Sequence, residues 1–438
     1  MDKNKRLTVW LPVIIAASIA LGIFIGNHYL SISQGKKRSY SSGNKINAIL
    51  DIIDEQYVDT VSMSKLVEST IPKIFSELDP HSVYIPAEDA SVVNEELEGS
   101  FSGIGVSFNM QTDTILVISV ISGGPAEKAG LLPFDRIISI NDSIFSGKKK
   151  NQGEIMKTLR GAKNSTVKLG VQRGNSPELL YFDVTRGDVP VNSVDVSFEA
   201  AKGIGYIKVS KFARNTYNEF ITAIAKLKQA GCTSFVIDLR GNTGGYMDAA
   251  INMINEFMPE GRLIVYTEGK SFPRSDVYAN GTGTCKDAPI VVLTDEISAS
   301  ASEIFSGAIQ DNDRGTIIGR RTYGKGLVQT QMSLSDGSEM RLTIARYYTP
   351  SGRCIQKKYE MGNTDAYDQD IYNRYMHGEF DSADSIKMDD SLKYQTVGGR
   401  TVYGGGGIMP DIFIPRDTSG VTSYYSNVVN SGYDEYRN

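Results

Sequence analysis

Val236-Ile237-Asp238-Leu239-Arg240-Gly241-Asn242-Thr243-Gly244-Gly245 runs from a β-branched strand straight into a glycine-rich turn. Upstream, Ile204 to Val209 reads as another strand, and Phe220, Ile224 and Leu227 mark a helix that stops at Gly231. Downstream, Ile251, Ile254 and Phe257 fall on a helical stripe, Ile290 to Leu293 forms a further strand, and Ile304, Phe305, Ala308 and Ile309 a further helix. Strands alternating with helices in this manner predict an α/β layer on a largely parallel sheet. A long strand follows at Met340 to Tyr348, whereas Glu360 to Thr396, acidic and rich in tyrosine, lacks periodicity and reads as an insertion or long loop.

Before this layer the texture differs. From Glu98 to Arg186 short strands at 104–108, 115–120, 137–140 and 167–172 alternate with glycine-rich turns, and one helix lies near Gly153 to Leu159. Earlier still, Ile46, Ile49, Leu50, Ile53 and Tyr57, then Leu66, Val67, Ile71, Ile74, Phe75 and Leu78, form two helical stripes that end at Leu78-Asp79-Pro80-His81-Ser82. Residues Leu7 to Ile25 carry no charge and follow Lys3, Lys5 and Arg6. That length suits a bilayer-spanning helix of roughly 20 residues. No small-x-small cleavage site follows, so the run predicts an uncleaved signal anchor with the body outside the cytoplasm.

The 438 residues hold 46 basic and 51 acidic side chains, a net charge of −5 that argues against nucleic acid as a partner. Three widely spaced cysteines, Cys232, Cys285 and Cys354, form neither a CxxC metal spacing nor a disulfide framework, and no metal or other cofactor is expected.

Three features can carry chemistry. Ser298, Ser300 and Ser302 lie where the Ile290 strand gives way to a helix, beside amides that a helix start leaves unused, as an oxyanion needs. Helix capping, with Glu303 completing a box on Ser300, is the competing reading, and spacing does not choose among the three serines. Lys325 sits between Gly324 and Gly326. The stretch nearly matches a phosphate-binding loop, yet Gly326 stands where that loop needs Ser or Thr, and a strand-like run follows instead of a helix. The turn after Leu239 presents several amides to one point. Only three histidines occur, His28, His81 and His377, none within the predicted α/β layer. That scarcity suits lysine over histidine as a base.

Taken together, Leu78-Asp79-Pro80-His81-Ser82, Ser102-Gly103-Ile104-Gly105, Asp238-Leu239-Arg240, Ser298-Ala299-Ser300-Ala301-Ser302-Glu303-Ile304, Gly324-Lys325-Gly326 and Tyr348-Thr349-Pro350-Ser351-Gly352-Arg353 resemble the carboxy-terminal processing (tail-specific) peptidases, in family order over residues 45–415. The resemblance implies a serine endopeptidase that forms an acyl-enzyme. Ser300 would be its nucleophile, Lys325 its general base and Gln329 the residue orienting that base, with the oxyanion held by the amides of Ala301 and of Gly244 or Gly245. It also implies a crotonase-like α/β core with an inserted β-rich PDZ domain. Gly103, Ile104 and Gly105 would capture a substrate's terminal carboxylate, and Arg160 would couple that domain to the active site. Ser122-Gly123-Gly124-Pro125-Ala126-Glu127-Lys128-Ala129-Gly130-Leu131 matches the same domain, while Phe134 stands where relatives carry a glycine before Asp135.

The expected division is an anchor at 1–30, a linker at 31–44, a helical region at 45–97, the PDZ domain at 98–186, the protease core at 187–415 with its insertion at 358–398, and a tail at 416–438. Expected partners are proteins or peptides with free C-termini, the membrane, and a second copy of the chain or an activating adaptor. A non-catalytic PDZ scaffold of the cell envelope is the alternative; it would have no use for Ser300 and Lys325.

Overall fold

The computed structural model describes residues 16–23, 42–111, 114–146, 152–174, 176, 178–417 and 422–424. Most of the predicted anchor and linker therefore lies outside the described residues. Among those described, no helix is long and apolar enough to cross a membrane.

The alternation at 203–319 folds as expected. One six-stranded sheet runs in the order Val194–Ala201, Ile204–Val209, Ser234–Asp238, Ile290–Thr294, Thr316–Gly319 and Ile412–Phe413. Its first pair is antiparallel and the others are parallel. The intervening helices Thr216–Gln229, Met247–Asn255 and Ala301–Asp311 pack on this sheet around Phe220, Phe235, Phe257 and Phe305, all buried. Burial of aromatic side chains of this size supplies much of the hydrophobic driving force. In an open parallel sheet, loops that bind and react gather beyond the carboxyl ends of the strands. Here the neighbours Ser234–Asp238, Ile290–Thr294 and Thr316–Gly319 end side by side, with Asp238 opposite Leu293 and Thr294 opposite Gly319. The glycine-rich turn, the serine cluster and the lysine loop thus leave the sheet from adjacent strands.

A second, antiparallel sheet is built on the long strand Glu339–Tyr348, which pairs with Val83–Ile85, Leu263–Glu268 and Leu327–Ser333. The Asp79–Ser82 turn is fastened to it. Asp79 Oδ1 accepts from His81 N (3.0 Å) and Thr343 Oγ1 (2.8 Å), and Ser82 Oγ accepts from Thr343 N (3.1 Å).

Between 100 and 190, strands Val106–Gln111, Thr114–Val120, Arg136–Ile140, Thr166–Gln172 and Leu180–Thr185 form an antiparallel sheet with its own core of Ile115, Val117, Ile137, Ile155, Val167 and Leu169. The departure at Phe134 leaves the turn intact. Phe134 itself takes the left-handed conformation a glycine would occupy (φ 68°), with its ring half in solvent, while its N–H bonds Val117 O at 2.7 Å. Buried Asp135 is held by Arg173 at 2.7 and 2.8 Å.

Two segments differ from the sequence reading. Ala87–Glu98 is a helix that the pattern did not reveal. The 358–398 segment is not a plain loop: Thr364–Met376 is helical, and two short 3-10 turns follow. Its helix buries only Tyr367 and Arg374, seven residues apart, so there is no apolar stripe to read.

Candidate active site

Ser300 heads the Ala301–Asp311 helix with φ 55° and ψ −113°, a conformation that L-residues rarely hold unless their surroundings impose it. The surroundings are close. A Cβ on Gly244 (φ 106°) would lie 2.7 Å from Ser300 Cβ and 2.8 Å from Ala299 O, so only glycine fits there. Asn242 stitches the two segments together. Its carbonyl accepts from Ala299 N (3.0 Å) and Ser302 Oγ (2.9 Å), and its side chain accepts from Gly244 N (2.8 Å). The Gly244 amide is thereby occupied, whereas the Gly245 amide has no acceptor among the described residues. Ala301, as the first helical residue, has an N–H without an intrahelical partner.

The other two serines are committed elsewhere. Ser298 is fully buried and donates to Leu239 O (2.8 Å), while Ser302, also buried, reaches Asn242 O. Ser300 alone of the three remains partly exposed.

Glu303 is the residue whose importance the sequence concealed. It is 0% exposed, and its carboxylate accepts four hydrogen bonds. Oε2 takes the amides of Ser300 (2.8 Å) and Lys325 (2.8 Å); Oε1 takes the amide of Gly324 (2.7 Å) and Thr322 Oγ1 (2.6 Å). The first bond is half of the capping box expected from the sequence, and the others tie the lysine loop to the serine turn. Desolvation pushes its carboxyl up to about 7, although all four donors favour the ionised form. The hydroxyl of buried Tyr347 adds a second tie, lying 3.1 Å from Ser300 O and donating to Lys325 O.

Lys325 is largely buried, and its amine has no hydrogen bond or ion pair among the described residues. Burial, then the nearby Arg341, lowers its pKa against the opposing pull of Glu303 and Asp79. Gln329, expected to orient it, instead donates to His81 O at 3.3 Å. The sequence places His81 in the early helical region, yet the fold carries it to the edge of this site. Burial and the neighbouring Lys325 lower its pKa to about 4, so the ring is neutral near pH 7.

In the 98–186 region, Gly103 ends a strand paired with Gly187–Pro190. Ile104 O accepts from Ala126 N (2.7 Å), and Gly105 takes φ 79°. Arg160 stands beside Gly103, stacked over Phe101 at 4.7 Å and paired with Glu95 at 2.9 Å on the Ala87–Glu98 helix. Among the described residues no cluster of His, Cys, Asp and Glu suits a metal ion.

Comparison with known proteins agrees with this layout. Residues 203–365 match the model of peptidase family S41, and residues 102–195 match a PDZ domain. The chain is 35% identical over 318 residues to the carboxy-terminal processing protease CtpB of Bacillus subtilis (strain 168), covering 72% of this chain and 66% of that one. It is 33% identical over 365 residues to a probable CtpA-like serine protease of Staphylococcus aureus (strain N315), covering 82% and 72%. The solved photosystem II D1 C-terminal processing protease aligns at 24% identity over 86% of this chain and 94% of that one, a loose superposition with a TM-score of 0.43. The chain belongs to the carboxy-terminal processing peptidases, serine-type peptidases of family S41 that carry a PDZ domain.

Proposed function

We propose that the chain cleaves protein substrates near their C-termini through an acyl-enzyme on Ser300, with Lys325 as general base. Serine is a poor nucleophile until a base takes its proton, and lysine serves only when neutral. The observation that carries this reading is the buried Glu303 carboxylate, bonded at once to the amides of Ser300, Gly324 and Lys325. A tie of this kind fixes nucleophile and base in one frame, and the unpaired, buried amine of Lys325 favours its neutral form. The free amides of Ala301 and Gly245 form the oxyanion hole, and Gly244 lets the turn approach. Gln329 acts on the base side of the site, reaching it by way of His81.

The PDZ domain binds the substrate's terminal carboxylate at Gly103, Ile104 and Gly105, and Arg160 reports its occupancy to the core. In support of that role, Arg160 already bridges the Gly103 strand and the Ala87–Glu98 helix. The body sits on a crotonase-like core outside the cytoplasm, held to the membrane by the apolar run Leu7 to Ile25. A peptide substrate tested as free acid and as C-terminal amide checks the recognition step. Loss of the charge-assisted bonds to backbone amides should weaken cleavage of the amide. Equal cleavage of both forms would remove carboxylate capture from the proposal.

A further inference from the structure

The helix Thr364–Met376 belongs to a segment that the family resemblance leaves without a role. Its residue Tyr367 is 2% exposed, and its hydroxyl is buried among the side chains of His81, Gln356 and Tyr323. On one side lies His81 Nε2 at 2.8 Å, on the other Gln356 Nε2 at 3.3 Å. The Gln356 end of this chain has a determined direction. Gly326 N, a donor only, requires the oxygen of Gln356 to face it (2.7 Å), and Lys357 O, an acceptor only, requires the Gln356 amino group (2.9 Å). The Gln356 amide orientation is therefore fixed at both ends. Its remaining N–H goes to the Tyr367 oxygen, which also meets His81 Nε2 and the side chain of Tyr323. Burial and the nearby Lys325 keep His81 neutral, and His81 O in turn accepts from Gln329 Nε2 at 3.3 Å.

The relay touches the lysine loop from both sides. Gly326, next to Lys325, is anchored through Gln356, and Gln329, one strand turn further on, is anchored through His81. Tyr367 joins the two anchors. Its ring is held in turn by His81 edge-on (5.2 Å between centroids), by Tyr323 at 6.1 Å, and by the Lys357 amine 4.0 Å from its centroid. Lys357 is itself fixed by Asp370 at 3.1 Å on the same helix.

We propose that Tyr367 is a positioning residue for the Lys325 base, so that the 358–398 segment completes the base side of the active site rather than decorating the surface. The inference rests on the reading of Lys325 as general base. The charged groups facing Lys325 are Glu303 on the serine helix, Arg341 on the long strand and Asp79 beside His81. Those facing His81 are Lys325, Asp79 and Lys357; Asp370, Arg374 and Asp368 act on Lys357, and Tyr323 lies against Tyr367. None of these charged groups is altered by removing one phenolic oxygen.

The test is Tyr367→Phe in the full chain, with kcat and KM measured on one peptide substrate from pH 6 to 10 and the fold checked by thermal unfolding. Removing the hydroxyl leaves His81 Nε2 and a Gln356 N–H without their shared partner, which loosens both anchors of the lysine loop, eases the approach of water to Lys325 and favours its ammonium form. The expected result is a fall in kcat of about tenfold, because a small misplacement of a reacting group is costly. KM should be little changed, and the rising limb of the pH profile should move to higher pH. Gln356→Met, which keeps volume and breaks the relay at its other end, should give the same shift and carries the test if Tyr367→Phe does not fold. A wild-type kcat and limb in both variants, or an effect on KM alone, overturns the proposal. Lys325→Arg separates the two levels. If it is inactive while the Tyr367 and Gln356 variants behave as wild type, only the positioning role falls; if it is fully active, the reading of the base falls as well.

Discussion

Glu303→Gln changes one atom of a side chain whose four hydrogen bonds all come from donors. Glutamine offers one oxygen, so its amino group must face one of the two donor pairs. Facing Ser300 N and Lys325 N, it would leave two buried amides without acceptors. Facing Thr322 Oγ1 and Gly324 N is the milder choice, because the threonine hydroxyl can turn and accept, even though it already accepts from Ile408 N at 2.6 Å. Gly324 N is then the one orphan, at about 1–3 kcal/mol for a buried donor. Removing a charge whose desolvation raises its pKa to about 7 offsets part of this loss. The expected net destabilisation is about 1–2 kcal/mol. Activity should suffer more, because the freed residue directly precedes Lys325; a displacement near 1 Å costs about 100-fold in kcat. The variant also mimics the protonated acid, so wild-type activity should fall as pH drops through about 7. Stability has the opposite sign for this group. Between the ordinary 4.5 and about 7 the folded chain keeps a proton that the unfolded chain releases, so the contribution of Glu303 declines as pH rises across that window. Steady-state kinetics on a peptide substrate, together with denaturant unfolding, reads both effects. Wild-type kcat and wild-type stability in Glu303→Gln would refute the idea that this carboxylate holds serine and lysine in one frame.

Two further substitutions probe the same site. Gly244→Ala forces a methyl to within 2.7 Å of Ser300 Cβ at a φ of 106° and should lower kcat at least about 100-fold in a folded chain; near-normal kinetics would mean that the close approach is dispensable. Lys325→Met removes an amine that burial disfavours in its charged form, and should raise stability at pH 7 by about 1 kcal/mol, as removal of a functional strain commonly does. Because the folded lysine loses its proton before the unfolded one, wild-type stability rises with pH towards 10.5, and the advantage of methionine in urea unfolding should shrink there.

Much of the architecture was legible because it is written in local periodicity. The β-branched strands at 204–209, 235–239 and 290–293 and the glycine stops between them were enough for a parallel α/β sheet. The site was less legible. Ser300 could not be told from Ser298 and Ser302 by spacing, since what separates them is tertiary: two hydroxyls reach backbone carbonyls across the fold and one does not. Glu303 looked like a capping residue because three of its four partners lie 19–22 positions away and leave no trace in the pattern. His81 and Tyr367, separated by 286 positions, meet only once the Asp79 turn is fastened to the long strand. The Thr364–Met376 helix stayed hidden because its buried face is a tyrosine and an ion-paired arginine instead of an aliphatic stripe.

Covalent labelling bears most directly on the Ser300 and Lys325 chemistry. A fluorophosphonate that reacts with activated serine hydroxyls would be added to the wild-type chain and to Lys325→Met between pH 6 and 10, with the modified residue located by peptide mass spectrometry. Ser300 should be the residue modified, at a rate that rises with pH as the amine of Lys325 loses its proton, and Lys325→Met should react hardly at all. Modification at a different serine, or labelling of Lys325→Met at the wild-type rate, would contradict a nucleophile at Ser300 activated by Lys325.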